Sequence, residues 1–259
     1  MDLGLKGKRV LITGASKGIG AEISRQFASE GCRISLIARN EENLRTVLNE
    51  IGGTKVGHTY LNLDLRAPGA STRAAQKLLA QHAEIDIVVH NVGGGLGVKD
   101  PIADIGDWLK VWQFNVGVVI EMNRLIVPHL KKKQWGRIIH ISSINALTGG
   151  TMLEPYGGSP AYSCAKAYLN MYTKIIGREL ARDNIIVSAV MPGAILSEGK
   201  HWEKLIEKNP ELVNEYLLRY HAIGRFGNAE EIAPFVLLLA SKHASFAPGS
   251  VFPIDGGIL

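Results

Sequence analysis

Cysteine is nearly absent from this chain of 259 residues, which carries only Cys32 and Cys164. Two isolated thiols without metal-ligand or disulfide spacing exclude a disulfide framework and a cysteine-built metal centre, so both are expected to be reduced and structural. Long apolar runs are missing as well: no stretch approaches the ~18 residues of a membrane span, and Met1–Lys8 lacks the apolar core of a secretory leader. A soluble, cytoplasmic protein without a membrane partner is expected. The eight histidines are scattered, with no H-E-x-x-H or similar pattern, so no metal site is expected. Linkers, repeats and low-complexity stretches are also lacking, and strand and helix patterns alternate from Val10 to Leu239. One domain over 1–259 is therefore expected, although length alone would also allow two. The net charge of +5 comes without a basic stripe or nucleic-acid motif. Lys131-Lys132-Lys133 reads as a solvated helix end favoured by the helix dipole, and the mildly basic surface suits an anionic cofactor.

Two strings stand out against that plain background. The first is Thr13-Gly14-Ala15-Ser16-Lys17-Gly18-Ile19-Gly20, which follows the apolar run Arg9–Ile12 and precedes the helical pattern Ala21–Ala28. A strand, a glycine turn and a helix in that order let backbone N–H groups approach a pyrophosphate at the positive helix end. The spacing is G-x-x-x-G-x-G, so the stricter G-x-G-x-x-G fingerprint is not met, and simple turn punctuation remains open at this point. The second string is Tyr162-Ser163-Cys164-Ala165-Lys166. Residues four apart share a helix face, which places the Lys166 ammonium beside the Tyr162 phenol. A nearby cation lowers a phenol's pKa from about 10 and suits it to proton transfer. Cys164, about 200° round the helix, should point away. An ordinary surface Tyr–Lys pair would read the same way in isolation.

Taken together these strings resemble the short-chain dehydrogenase/reductase family, which carries T-G-x-x-x-G-x-G and Y-x-x-x-K, and the likeness runs nearly end to end. Asn91-Val92-Gly93 stands at the family's N-N-A-G position, with His90 in place of the first asparagine. Asn115 matches the helix asparagine, Ile141-Ser142-Ser143 the strand ending in the catalytic serine, and Pro192-Gly193-Ala194-Ile195-Leu196-Ser197 the P-G-x-x-x-T segment. Gly224-Arg225-Phe226-Gly227 and Asp255-Gly256-Gly257 complete the series. The resemblance implies an α/β Rossmann fold: a doubly wound parallel sheet of about seven strands with helices on both faces and the cofactor at the switch point. It further implies a homotetramer or dimer. Val116–Ile120 would suit such an interface, and would equally suit a core.

The same resemblance implies catalytic roles for Asn115, Ser143, Tyr162 and Lys166. Ser143 would hold the substrate carbonyl, Tyr162 would protonate its oxygen, Lys166 would lower the Tyr162 pKa and bind ribose hydroxyls, and Asn115 would hold a relay water. Ser142 is the neighbouring candidate, but the motif places the catalytic hydroxyl on the second serine, and adjacent strand residues face opposite ways. Cofactor contacts are implied for Gly14, Ser16, Lys17, Gly18, Ile19, Gly20, Arg39, Asp64, Leu65, Asn91, Val92, Gly93, Pro192, Gly193, Ile195 and Ser197, besides Tyr162 and Lys166. The strand Arg33–Ala38 ends at Arg39, where an NAD site usually carries an acid for the ribose 2′-hydroxyl and an NADP site needs a cation. With Lys17 as a second cation, NADP(H) is favoured over NAD(H). Glu41 and Glu42 read as first-turn acids of a helix capped by Asn40.

Three departures from the family pattern bear on specificity. Nineteen positions separate Ser143 from Tyr162, more than is usual, and the excess lies in the glycine-rich stretch 148–158. Tyr156 falls at the usual spacing but has Pro160 where the lysine would be, so the catalytic role stays with Tyr162. His90 is the second departure, with tolerated packing the simpler explanation. The third is Glu198–His221 within a substrate lid at about 194–224, where Lys200, His201, Trp202, Arg219 and Tyr220 suit a polar or anionic substrate or merely a solvated amphipathic helix. The nearest general likeness is to 3-oxoacyl-acyl-carrier-protein reductases, with an acyl carrier protein as an additional partner. A sugar or amino-sugar dehydrogenase is the alternative, and a non-catalytic NADP-binding sensor a third reading.

Overall fold

The computed structural model describes residues 1–82, 84–150, 158–197 and 201–258. Seven strands form one all-parallel sheet in the order β3-β2-β1-β4-β5-β6-β7. They are β1 (Arg9–Thr13), β2 (Arg33–Ala38), β3 (Thr59–Asn62), β4 (Ile87–His90), β5 (Gly136–Ile141), β6 (Ile185–Pro192) and β7 (Val251–Ile254). The central strands are buried along their whole length. Both faces of a parallel sheet are covered by its crossover helices, so the central strands read as continuous apolar runs.

One face is packed by α1 (Gly18–Ser29), α2 (Glu41–Glu50) and α10 (Ala229–Ala240), with Phe27 fully buried among Ile12, Leu36 and Val236. The opposite face is packed by α3 (Ala70–Gln81), α5 (Val118–Lys133) and α7 (Pro160–Leu180). Val116, Val118 and Val119 are at most 1% exposed, so the apolar run suggested for an interface belongs to the core. The remaining helices are α4 (Ile105–Trp112), α6 (Asn145–Thr148), α8 (His201–Lys208) and α9 (Pro210–Tyr220). Side chains set several helix starts. Asn40 Oδ1 accepts from the Asn43 N–H at 2.8 Å, with Glu41 and Glu42 in the first turn, as the sequence suggests. Ser159 caps α7 ahead of Pro160, and Asn228 with Glu231 forms a capping box on α10.

Connectivity reverses at β1, which lies between β2 and β4. The turn after β1 and the loop after β4 therefore diverge from adjacent strand ends and leave a crevice at the carboxyl edge of the sheet, where open α/β folds bind ligands.

Candidate active site

The glycine turn leads directly into α1, whose N-cap residue Lys17 makes no side-chain capping bond and whose first turn carries no acid. Nothing from the side chains competes with an anion for the first-turn N–H groups, and the helix dipole favours one there. Gly20 is needed for close approach: a Cβ there would fall 2.3 Å from the Gly14 carbonyl oxygen. Asn91 fastens this turn to β4. Its Nδ2 donates to the carbonyls of Thr13 (3.2 Å) and Gly14 (3.1 Å), while Thr13 Oγ1 accepts from the N–H groups of Asn91 and Val92. The Asn91 side chain thus holds the turn in shape. Thr13, which the residue-type argument passed over, is the partner that makes this possible.

A second group gathers between the loop after β4, α7 and a π-helical turn, Gln113–Gly117, that joins α4 to α5. Such turns recur at functional sites because they re-aim one side chain out of the regular helix. Asn115 sits in this one. Its Oδ1 accepts from the Gly94 N–H at 3.0 Å, and its Nδ2 donates to the Gly94 carbonyl at 2.9 Å and the Val111 carbonyl at 2.7 Å. Both amide hydrogens are thereby engaged by backbone, and the side chain clamps the loop after β4. Gly93 is the tight point beside it, since a Cβ there would lie 2.5 Å from Asn115 Oδ1 and 3.0 Å from Lys166 Nζ.

Lys166 is 2% exposed, and its Nζ donates to the Ile141 carbonyl at 2.7 Å. Burial lowers its pKa to about 7, and the ammonium lies 5.6 Å from the centre of the Tyr162 ring. The expected lowering of the Tyr162 pKa is not what the structure gives. Burial raises it, and the one opposing influence is a hydrogen bond with Ser143. The reason is dielectric: burial disfavours the charged forms of both partners, and the phenolate is poorly solvated. The two neighbouring serines have different surroundings. Ser143 Oγ meets Tyr162 and accepts from the Asn145 N–H at 3.2 Å, whereas buried Ser142 Oγ faces the Lys166 carbonyl at 3.4 Å. Cys164 is exposed, on the side of α7 away from the phenol, and burial raises the pKa of Cys32 to about 12.

At the opposite end of the crevice, Arg39 follows β2, and Asp64 follows β3. Arg66 binds both Asp64 oxygens and holds the carboxyl down to about 2, with a smaller contribution from Arg39. Glu41 is engaged by Arg45 and Tyr60. Leu65 is buried. Beyond β6, which ends at Pro192, the Gly193 N–H donates to the Ile254 carbonyl at 3.0 Å, and Ile195 bridges Gly227. Ser197 closes on the start of α1: a Cβ on Gly18 would sit 3.1 Å from its Oγ. Ser16, Lys17, Gly18 and Ser197 line one end of a cavity of about 670 Å³ that continues between α1 and α2.

Some expectations fall elsewhere. Residues 151–157 of the inserted stretch, Tyr156 among them, lie outside the described residues, as do Glu198 and Lys200 and the side chain of His201. Trp202 stacks on Tyr216 at 4.9 Å and meets Phe226 at 5.1 Å, so this lid aromatic packs within its own segment. Lys133 is not simply solvated: its Nζ pairs with buried Asp86 at 2.5 Å. Among the described residues no cluster of three or more potential metal ligands occurs, and no helix is long and apolar enough to cross a membrane.

The sequence profile described as short chain dehydrogenase matches residues 8–206. The 3-oxoacyl-[acyl-carrier-protein] reductase FabG of Thermotoga maritima is 33% identical over 257 residues, covering 98% of this chain and 99% of the relative. Among solved structures, L-sorbose reductase from Gluconobacter frateurii complexed with NADPH and L-sorbose superposes with a TM-score of 0.88 at 31% identity, covering 100% of this chain and 99% of the other. A 3-oxoacyl (acyl-carrier-protein) reductase from Agrobacterium tumefaciens with NADP bound gives 0.87 at 28% identity, covering 98% and 95%.

Proposed function

The chain belongs to the short-chain dehydrogenase family, an NAD(P)-dependent oxidoreductase by that membership, and on this premise we propose that it reduces 3-oxoacyl thioesters to 3-hydroxyacyl thioesters with NADPH. The observation that carries this reading over its competitor is a set of exposed leucines on the segments that leave the carboxyl edge of the sheet. Leu96, Leu147 and Leu196 follow β4, β5 and β6 at the carboxyl edge of the sheet and are 42%, 67% and 38% exposed. A polyhydroxylated substrate would leave its hydroxyls facing such side chains, whereas an acyl chain gains from burying them.

The residues present fit a phosphorylated dinucleotide. The uncapped start of α1 would take the pyrophosphate, with Ser16 and Ile19 shaping the turn around it. Lys17 and Arg39 would hold the 2′-phosphate, and Asp64 with Leu65 would hold the adenine. Asn91, Val92, Gly93, Pro192, Gly193, Ile195 and Ser197 would hold the nicotinamide end. When bound there, the cofactor supplies the hydride. Ser143 holds the carbonyl oxygen of the substrate, and Tyr162 O–H donates its proton to that oxygen as the alcohol forms. Lys166 holds ribose hydroxyls and supports the phenolate left on Tyr162. Asn115 keeps Gly94 in place, so the loop bearing Gly93 does not close on Lys166 Nζ. An acidic acyl carrier protein suits the net positive charge of the chain. The exposed apolar side chains Ile105, Leu109, Tyr168, Met171 and Ile175 on α4 and α7 favour assembly as a homotetramer or dimer.

The likeness to L-sorbose reductase favours one second reading, a keto-sugar substrate. Cofactor oxidation measured against 3-oxoacyl thioesters and keto sugars, with NADPH and NADH in parallel, separates the two. NADPH-selective turnover of thioesters is expected. Turnover confined to sugars would replace the reading by the second, and equal use of NADH would remove the roles given to Lys17 and Arg39.

A further inference from the structure

Behind the catalytic side chains lies a second polar tier on the α5/α7 side of the sheet. His90 and His140 are cross-strand neighbours on β4 and β5, with ring centres 5.5 Å apart. Asn123 reaches His90 from α5 and Thr173 reaches His140 from α7, where Tyr162, Lys166 and Asn170 stand four residues apart on one helix face, Asn170 Nδ2 meeting Met191 Sδ of β6 at 3.1 Å. The two histidines and the two asparagines are at most 8% exposed.

The hydrogen bonds settle what each ring offers. Thr173 Oγ1 donates to the Leu169 carbonyl at 2.8 Å, so its single proton is engaged there. His140 Nδ1, 2.7 Å from the same oxygen, must then be the donor, and His140 Nε2 carries a bare lone pair. His90 Nε2 donates to Asn123 Oδ1 at 2.9 Å, which leaves His90 Nδ1 in the same condition. Neither bare nitrogen has a hydrogen-bond partner among the described residues. Asn123 Nδ2 and Asn170 Oδ1 likewise lack a partner of good geometry there, although Asn123 also meets the phenol of Tyr172, whose ring lies over His140 at 6.0 Å; these four are all but one of the buried side-chain atoms so placed among the described residues. Folded proteins leave few buried polar atoms unpaired, and gathered exceptions mark bound water or an ion.

We propose that His90, Asn123 and His140 form a binding site for internal water, seated against His90 Nδ1 and His140 Nε2, that completes a hydrogen-bonded layer beneath the catalytic helix face. Water fits because the site combines acceptors and a donor, and water supplies both. A cation fits poorly. The three side chains are neutral, no carboxylate or thiolate among the described residues acts on either ring, and the nearby charge that does act on His140 is the positive one of Lys166. Through the His140–Thr173 hydrogen bond the layer joins β5 to α7, at a position where a dry pair of imidazoles would leave it unsatisfied.

High-resolution diffraction of the wild-type protein tests this without cofactor or substrate, so its failure is separate from any failure of the proposed activity. Ordered water within hydrogen-bonding distance of both bare nitrogens is expected, as is its loss in His140→Leu. Nitrogen NMR of histidine-labelled wild-type protein at neutral pH should show both nitrogens unprotonated and in cross-relaxation with long-lived water. Dry density between the rings, a protonated His140 Nε2, or stoichiometric transition metal by elemental analysis would each overturn the proposal. Because the wild-type measurements decide it, the outcome does not depend on whether His140→Leu folds.

Discussion

The glycine turn and the α7 face meet at the same crevice but are built from different material. The turn offers backbone: N–H groups at the uncapped start of α1, held in shape by Thr13 and Asn91. The α7 face offers side chains, Tyr162 and Lys166, whose ionisation is set by how deeply they are buried. A backbone site is robust to charge and intolerant of volume, whereas a side-chain site tolerates small volume changes and is sensitive to each polar partner. The cofactor end and the chemical end should therefore fail differently when perturbed.

The largest effect is expected at the chemical end. Ser143→Ala removes the one hydrogen bond that opposes the burial-driven rise of the Tyr162 pKa. Turnover should fall by about 10²–10³, a range typical of losing a polarising donor. The pH limb that reports Tyr162 ionisation should move upward while NADPH affinity stays near wild type, as steady-state pH profiles and calorimetry can check. At the cofactor end, Gly20→Ala should do the reverse. A Cβ 2.3 Å from a backbone oxygen forces the turn to shift, costing about 1–3 kcal/mol of stability and at least about tenfold in NADPH affinity. Arg39→Ser leaves the turn intact and should weaken NADPH by about tenfold or more with little change for NADH, since charge-assisted bonds are worth about 1.5–3 kcal/mol.

An effect on stability, not on turnover or cofactor affinity, sharpens the contrast through pH. His90 is buried, and its pKa is lowered to about 4, while His140 is pushed well below its ordinary value. The unfolded chain therefore takes up protons more readily than the folded one as pH falls below about 6.5, so stability is full above that value and is lost towards pH 4. For His90 alone the loss between pH 7.5 and 5 is about 2 kcal/mol. Urea unfolding at the two pH values should show it, and His90→Asn should flatten it.

Both ends were legible in the sequence to different depths. Gly14, Gly18, Gly20, Tyr162 and Lys166 stand out in the sequence because the role proposed for each needs a residue type at a fixed spacing along one element. The capping of α2 by Asn40 followed from an equally local rule, whereas the seven-stranded parallel sheet was implied by the family resemblance. The clamp that Asn115 makes was not legible because its partners, Gly94 and Val111, are backbone groups brought together by a π-helical turn that has no sequence marker. The upward shift of the Tyr162 pKa escaped for a related reason: helical spacing reveals that Lys166 is near but says nothing about the desolvation that outweighs it. Ser159 left a readable signal, a serine ahead of Pro160 at a helix start. The His90–His140 pairing left none, because it depends on the register of β4 against β5.

The division between a backbone-built cofactor end and a side-chain-built chemical end is tested most directly by Tyr162→Phe, with NADPH affinity and turnover of a 3-oxoacyl thioester measured on the same preparation. Removing the phenolic proton should lower turnover by about 10²–10⁴, the usual worth of a general acid, with NADPH affinity unchanged within about twofold. Retained turnover, or a loss of NADPH binding in parallel with activity, would contradict the account.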